Sequence, residues 1–410
     1  KKSSLKPINK KIDKNTTPGT VKKKLGGNQI VKEDNLSVLT VDYETSDSRV
    51  NYGQVVQAAI VATDNNLNIK KKYDLRCRLK PNVIPSIGAC MVHKIPVNIL
   101  KNSNKSHYQM VMEHYNIIKQ YTPSIIMGFN SVSFDLEFYR RMLFKSLIPD
   151  VYQTNTKGNK HLDILNVSRA AKFTNVDSIK TIMSEKNRPS FKLSDLSTAN
   201  DINNGESHDA LNDCLNTIDL ARIILKNTND IWNDSLKLTT RTDTENFILK
   251  NKIYTSLEYF YGNTHPFLVH HILFHPEWNW SINWDLKVNP DAYLNMDRNT
   301  LAKALDSSPK ILRTVKANKS LVLLKPDYAL ETEKYSSIGM EEINRRVQVL
   351  KDNHQFIDLI KLILSDKAKE KMSMDQTELL FEETIYKGGF VNDKDKSIMN
   401  KFHEVNWKEK

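Results

Sequence analysis

Apolar and β-branched side chains run from Leu36 until two acids close the run at Asp42 and Glu44, a pattern that predicts a strand. A second run, Val55–Thr63, has the same character, and Tyr73–Leu79 reads as a third strand. Met110, Val111, Tyr115 and Ile118 recur at helical spacing, Ser124–Phe129 reads as a further strand, and a helix is expected from about Ser133. The strongest helix of this part is Asp209–Leu225. Strands in a run, then alternating with helices, imply a layered α/β unit with a sheet of mixed direction. The polar stretch Lys226–Asp234 reads as a boundary. Beyond it, strand candidates near 253–261, 267–274 and 280–286 precede helices near 299–306 and 340–352, an α+β pattern. No internal repeat is visible.

Composition narrows the class. The 410 residues exceed one ordinary domain, and 39% hydrophobic with 26% charged residues fits a globular chain with a substantial core. No apolar stretch approaches a membrane span and no signal-like segment opens the chain, so a cytoplasmic protein without membrane contact is expected. Cys77, Cys90 and Cys214 lack metal-binding or disulfide spacing, which argues against a cysteine-ligated zinc. Residues 1–36 hold ten lysines against Asp13, Glu33 and Asp34, so +7 of the formal +12 charge sits there. Residues 1–35 read as a disordered basic tail, and such a balance favours a polyphosphate partner only weakly.

The acids carry more. Asp42 and Glu44 lie two apart on a strand, hence on one face, about 6.6 Å apart along the chain. Leu39, Val41 and Tyr43 take the other face. Two carboxylates on one face repel unless a cation lies between them, and a hard divalent ion suits oxygen ligands; an exposed acidic strand end would look the same. Asp213 shares the apolar stripe of its helix with Ala210, Thr217, Leu220 and Ile224, where a carboxylate is costly unless paired or metal-bound. His208 precedes that helix and gains weight from its spacing to Asp213. Asp135 opens a helix, where an acid is favoured in any case, and Asp209 is read as structural for the same reason.

The order Asp42-Tyr43-Glu44-Thr45, Gly128-Phe129-Asn130 with Phe134-Asp135, and His208-Asp209-Ala210 with Asp213 resembles the DEDDh exonucleases, specifically the bacterial exonuclease I family. The stretches Gln57–Asp64, Pro85–Ile95, Arg188–Ala199 and His208–Ala221 share the likeness. It continues at His275-Pro276-Glu277, Met296–Leu305, Ile338–Asn353 and Tyr386–Met399, covering about 37–400. The resemblance implies an RNase H-like exonuclease domain with a mixed sheet flanked by helices (36–228), an SH3-like α+β domain (229–381) and the start of a helical domain, truncated here (382–410). It implies 3′→5′ hydrolysis of single-stranded DNA in repair or recombination. Asp42, Glu44 and Asp213 would hold one Mg²⁺, and Asp42 and Asp135 a second, with Mn²⁺ able to substitute. His208 would act as the base.

His93, Arg140, Arg169 and Lys192, with Glu44, stand where the family contacts its substrate, and Lys192 takes the place of an expected arginine. Second-domain aromatics such as Tyr259, Phe260, Tyr261, Trp278 and Trp280 offer stacking surfaces, although strand aromatics more often pack in cores. A monomer is expected, with a single-stranded DNA-binding protein among its partners. Two other readings stay open: an exoribonuclease of the same fold, and a DNA-binding module without catalysis.

Overall fold

The computed structural model describes residues 36–374 and 378–405; the basic tail lies outside them. A first sheet comprises β1 (Ser37–Thr45), β2 (Val55–Thr63) and β3 (Ile69–Arg76), then β4 (Ser124–Gly128) and β5 (Lys160–Asp163). Its order is β3-β2-β1-β4-β5, with β1–β2 and β2–β3 antiparallel and β1–β4 and β4–β5 parallel. Mixed direction is therefore observed. The third strand begins earlier and ends sooner than the Tyr73–Leu79 expected. As an edge strand it exposes Lys70, Lys71 and Lys72, which hides it from a search for apolar alternation.

Helices α1 (Ile87–His93), α2 (Val97–Asn102), α3 (His107–Tyr121) and α4 (Asp135–Lys145) lie in the first half of this unit. They are followed by α5 (Ile164–Thr174), α6 (Leu193–Ala199), α7 (Ala210–Asn227), α8 (Asn229–Leu236) and α9 (Arg241–Lys250). Strand alternation divides the core in two. Leu39, Val41 and Tyr43 pack with Met110, Ile118, Phe138 and Met142 of α3 and α4. Val38, Ala59 and Met127 pack with Ala210, Cys214, Ile218 and Ala221 of α7 on the opposite face. The stretch Lys226–Asp234 does not behave as a linker. Helix α8 occupies most of it and buries Ile231 and Trp232 in the α7-side core, a contribution masked by its polar neighbours.

A second sheet, all antiparallel, runs β10-β6-β7-β8-β9. Its strands are β6 (Tyr254–Phe260), β7 (Asn263–Phe274), β8 (Ser281–Asp285), β9 (Leu312–Val315) and β10 (Leu323–Leu324). The β6–β7 hairpin turns at Tyr261 and Gly262, both with positive φ, the geometry a tight two-residue turn demands. Buried Trp284 and Leu268 of this sheet meet Leu301 of α10 (Arg298–Asp306), Ala329 of α11 (Asp327–Leu330) and Tyr335 of α12 (Glu333–Ser336). Ile343 of α13 (Met340–Asp352) and Ile360 of α14 (His354–Met374) complete that core.

The last described segment ends in α15 (Asp393–Glu404) and returns to the first unit. Phe381 stacks on Phe144, the Tyr386 hydroxyl donates to Glu137, and His403 stacks on Tyr108. No helix among the described residues is long and apolar enough to cross a membrane.

Candidate active site

The end of β1 presents Asp42 and Glu44 toward α7, as strand alternation requires. Two local devices bring the other groups to them. The first is Gly128 at the end of β4. A Cβ there would stand 2.5 Å from Ser131 and 3.0 Å from the Val41 carbonyl, so only glycine lets the β4–α4 loop fold back this tightly. Asp135, at the first turn of α4, thereby accepts the Tyr43 N–H at 3.0 Å. The second device is the N-terminus of α7. Asp209 caps it by accepting the N–H groups of Leu211 and Asn212, and is itself held by Arg76 at 2.7 Å and Gln57 at 3.1 Å. That matches its reading as structural. One turn on, Asp213 accepts the His208 N–H at 3.1 Å, which pins His208 in a left-handed conformation (φ 66°) at the mouth of the site.

The carboxylates of Asp42, Glu44 and Asp213 lie within 4.8 Å of one another. Asp135 and His208 share with them a cleft of about 470 Å³, also lined by Phe129, Asn130, Phe134 and His93. Burial, then the charges of Asp135, Asp213 and Glu44, push the Asp42 carboxyl well above the usual carboxylate range. Burial, then the charges of Asp213, Asp135 and Asp209, raise Glu44 to about 8 with Arg76 opposing, and burial raises Asp135 to about 8 against the hydrogen bond from Tyr43. Asp213 is raised as well, first by burial, with the His208 N–H opposing. No lysine or arginine among the described residues makes an ion pair with any of the four. Hard oxygen donors gathered at this spacing without a counter-cation fit a divalent metal ion.

The proposed substrate contacts separate. His93 ends α1 inside the cleft: its Nδ1 accepts the Ile95 N–H at 2.9 Å, while its buried Nε2 has no protein partner. Arg169 lies elsewhere, with its guanidinium 3.7 Å from the Tyr259 ring centre. It lines a cavity of about 450 Å³ between α5 and the β6–β7 hairpin. Lys192 is the exposed residue preceding α6. Arg140 is not at the cleft; it bonds Glu137 at 2.8 Å and Asn155 at 2.9 Å beside Tyr386 of the C-terminal segment. Of the aromatics, Trp284 and Tyr254 are core, Tyr259 is taken by Arg169, and Phe260 and Tyr261 are exposed. Trp278 packs on His275 and Trp280.

One residue escaped the sequence reading. Asp163 is buried at the end of β5, where it accepts the N–H groups of Asn130 at 2.8 Å, Leu165 at 3.1 Å and Val132 at 3.4 Å. It thus fixes the loop that delivers Asp135 while capping α5. Burial raises its carboxyl to about 6, with those hydrogen bonds opposing. The available signal was an aspartate directly before the apolar start of a helix, Ile164-Leu165. Asp163→Ala should destabilise the fold by about 1–3 kcal/mol in denaturant titration, because buried N–H groups lose their acceptor. Any hydrolytic activity should fall further than that destabilisation explains.

Residues 39–221 match the model of a family described as Exonuclease, RNase_T. Over 376 residues the chain is 27% identical to exodeoxyribonuclease I of Buchnera aphidicola subsp. Acyrthosiphon pisum, spanning 87% of each protein. The fold superposes on the crystal structure of Escherichia coli exonuclease I in complex with a dA16 oligonucleotide. The TM-score is 0.75 at 21% identity, over 90% of this chain and 81% of the other. The zinc-bound form of an E. coli exonuclease I complex with single-stranded DNA gives the same TM-score, identity and coverage. Fold and site together define an exonuclease domain built on a mixed sheet. Over most of its length the chain is similar to exodeoxyribonuclease I.

Proposed function

We propose that this protein is a metal-dependent 3′→5′ exonuclease that degrades single-stranded DNA to nucleoside 5′-monophosphates. The observation that carries this reading is the convergence of three carboxylates from β1 and α7 within 4.8 Å, facing a cleft that also holds Asp135 and His208. Asp42, Glu44 and Asp213 would hold one divalent ion, and Asp42 with Asp135 a second; Mg²⁺ is the proposed metal and Mn²⁺ its substitute. Such ions supply a more acidic water and offset negative charge on the scissile phosphate and the leaving 3′ oxygen. His208, exposed at the cleft mouth and fixed through its backbone by Asp213, takes the proton from the attacking water. His93, whose buried Nε2 has no protein partner within the same cleft, would bind the strand through that nitrogen. Arg169 on Tyr259, in the second cavity, is assigned to strand binding, as is exposed Lys192.

By this reading the catalytic unit, expected over 36–228, also takes in α8, and the SH3-like unit makes up the rest of the expected 229–381. The protein works as a monomer in the cytoplasm, in repair or recombination, with a single-stranded DNA-binding protein as partner.

The test is a 5′-labelled strand incubated with Mg²⁺ as single-stranded DNA, duplex DNA or RNA, with Asp42→Ala as control. A ladder shortening from the 3′ end on single-stranded DNA supports the proposal. Preferential degradation of RNA would assign an exoribonuclease, and no metal-dependent release of mononucleotides would leave a binding module. His208→Ala should lower kcat by about 100-fold, the contribution of a positioned base. Its metal affinity, followed by calorimetry, should stay within a fewfold of the parent.

A further inference from the structure

We propose that a cation-lined cavity beside the catalytic cleft binds a phosphate or phosphomonoester dianion, separately from the hydrolytic centre. The two cavities flank the end of β1, since Thr45 lines the catalytic cleft while Ser46 and Asp47 line this one. The cavity measures about 280 Å³ and gathers Arg49, Lys80, Arg141 and Lys145 with His107 and Glu382. Two of these cations are already neutralised. Arg49 lies 2.7 Å from Asp47, and Arg141 lies 2.6 Å from Glu137 while donating to Asn51.

Lys80 and Lys145 are not. Both are half-buried, and neither makes an ion pair among the described residues; Glu382 acts on each only at longer range. Burial first, then the charge of Lys80, lowers the Lys145 ammonium to about 8. Two cations facing one cavity at such a cost are what an absent anion leaves behind.

His107 is the independent observation. It is 5% exposed, forms part of the cavity wall, and its buried Nε2 has no hydrogen-bond partner. Burial, with Lys80 and Lys145 as the neighbouring charges, holds its ring neutral by lowering it to about 3. With its proton on Nε2, this neutral imidazole is a donor without an acceptor. His107 is also the first residue of the 15-residue α3, whose N-terminal dipole adds to the positive potential. Two ammoniums and one imidazole N–H converging from different elements suit a compact tetrahedral anion. The volume sits just below the usual range for ligand pockets, about 300–1,000 Å³, so the site accommodates the phosphate head of a ligand more readily than a whole nucleotide.

The ligand's source is either free phosphate or the phosphomonoester of a nucleoside 5′-monophosphate, and the experiment separates them. Titration calorimetry on the full chain without divalent metal would use inorganic phosphate, deoxyadenosine 5′-monophosphate and deoxyadenosine as probes. Saturable binding of the first two and none of the third is expected. Binding of the monophosphate alone would assign the site to a nucleotide head group. Lys80→Gln with Lys145→Gln should weaken binding at least tenfold, and His107→Asn severalfold, while Asp213→Ala leaves it unchanged. Circular dichroism confirms that each variant is folded. The proposal is overturned if neither phosphate probe binds. It is equally overturned if binding survives the double lysine variant but is lost in Asp213→Ala. Neither result bears on the exonuclease reading, which the strand assay tests separately.

Discussion

Asp213→Ala should lower kcat for mononucleotide release from single-stranded DNA by about a thousandfold, roughly 4 kcal/mol of transition-state stabilisation. Affinity for the strand should stay within a fewfold. The expectation follows from two connections. Asp213 supplies one of the three clustered carboxylates, and it accepts the N–H of His208, holding that residue in a conformation unfavourable for a side chain with a Cβ. Alanine removes both. Asp213→Asn separates them, because the amide oxygen can still accept from His208 while the charge is gone. If charge at the metal position dominates, asparagine should be nearly as inactive as alanine. Glu44→Gln is the companion test on β1 and should also abolish hydrolysis without unfolding the protein. Near-normal turnover by Glu44→Gln would remove the basis for assigning these acids to metal ions.

The parts of this site that were legible in the sequence are those set by local periodicity. Alternation along β1 put Asp42 and Glu44 on one face, and helical spacing put Asp213 in the stripe that packs on the sheet. Parallel pairing set the rest. Asp163 stands opposite Gly128 in the β4–β5 register, and that long-range contact, invisible in a four-residue strand, turns a helix cap into the anchor for Asp135. Arg140 shows what a motif position leaves open. Its position in the family pattern pointed to DNA, but the fold sets it away from the catalytic cleft, with its two terminal nitrogens on Glu137, Asn155 and Tyr386 and its buried Nε unpartnered. Helix α14 was missed because Leu359, Leu362 and Leu364 spread apolar surface around a helix whose buried stripe is Phe356, Ile360 and Ile363. The α13 pattern was easier to read, with Ile343, Val347 and Leu350 set among charged residues.

Asp42→Asn should abolish hydrolysis and at the same time raise the melting temperature of the metal-free protein. The carboxyl at position 42 is buried and stands among Asp135, Asp213 and Glu44, and a neutral amide of the same shape removes first the cost of burying a charge and then that repulsion. A gain of about 1–2 kcal/mol is expected, a shift of several degrees at most for a chain of this size. The pH dependence carries the same signature. Glu44 and Asp135 titrate near 8 in the fold but near their ordinary values when unfolded, so the folded state binds more protons between those limits. Their contribution to stability is complete below the ordinary carboxylate range and is lost as pH rises toward 8. His107, His114 and His161 work in the other direction. Burial lowers each to about 3, so they favour the fold above 6.5 and withdraw that support as pH falls. Only above about pH 7.5 are the histidines almost wholly neutral in both states, and there the acids dominate. Metal-free stability should therefore fall from about pH 7.5 toward 8, by up to about 1.4 kcal/mol per pH unit for each proton released. Saturating Mg²⁺ should flatten the slope, because the ion takes the place of the protons. Thermal unfolding at half-unit pH steps, with and without the metal, measures both effects. A metal-free protein whose stability is flat or rising from about 7.5 to 8, or an Asp42→Asn variant that melts lower than its parent, would mean the four carboxyls are not held at the cost their burial and positions require.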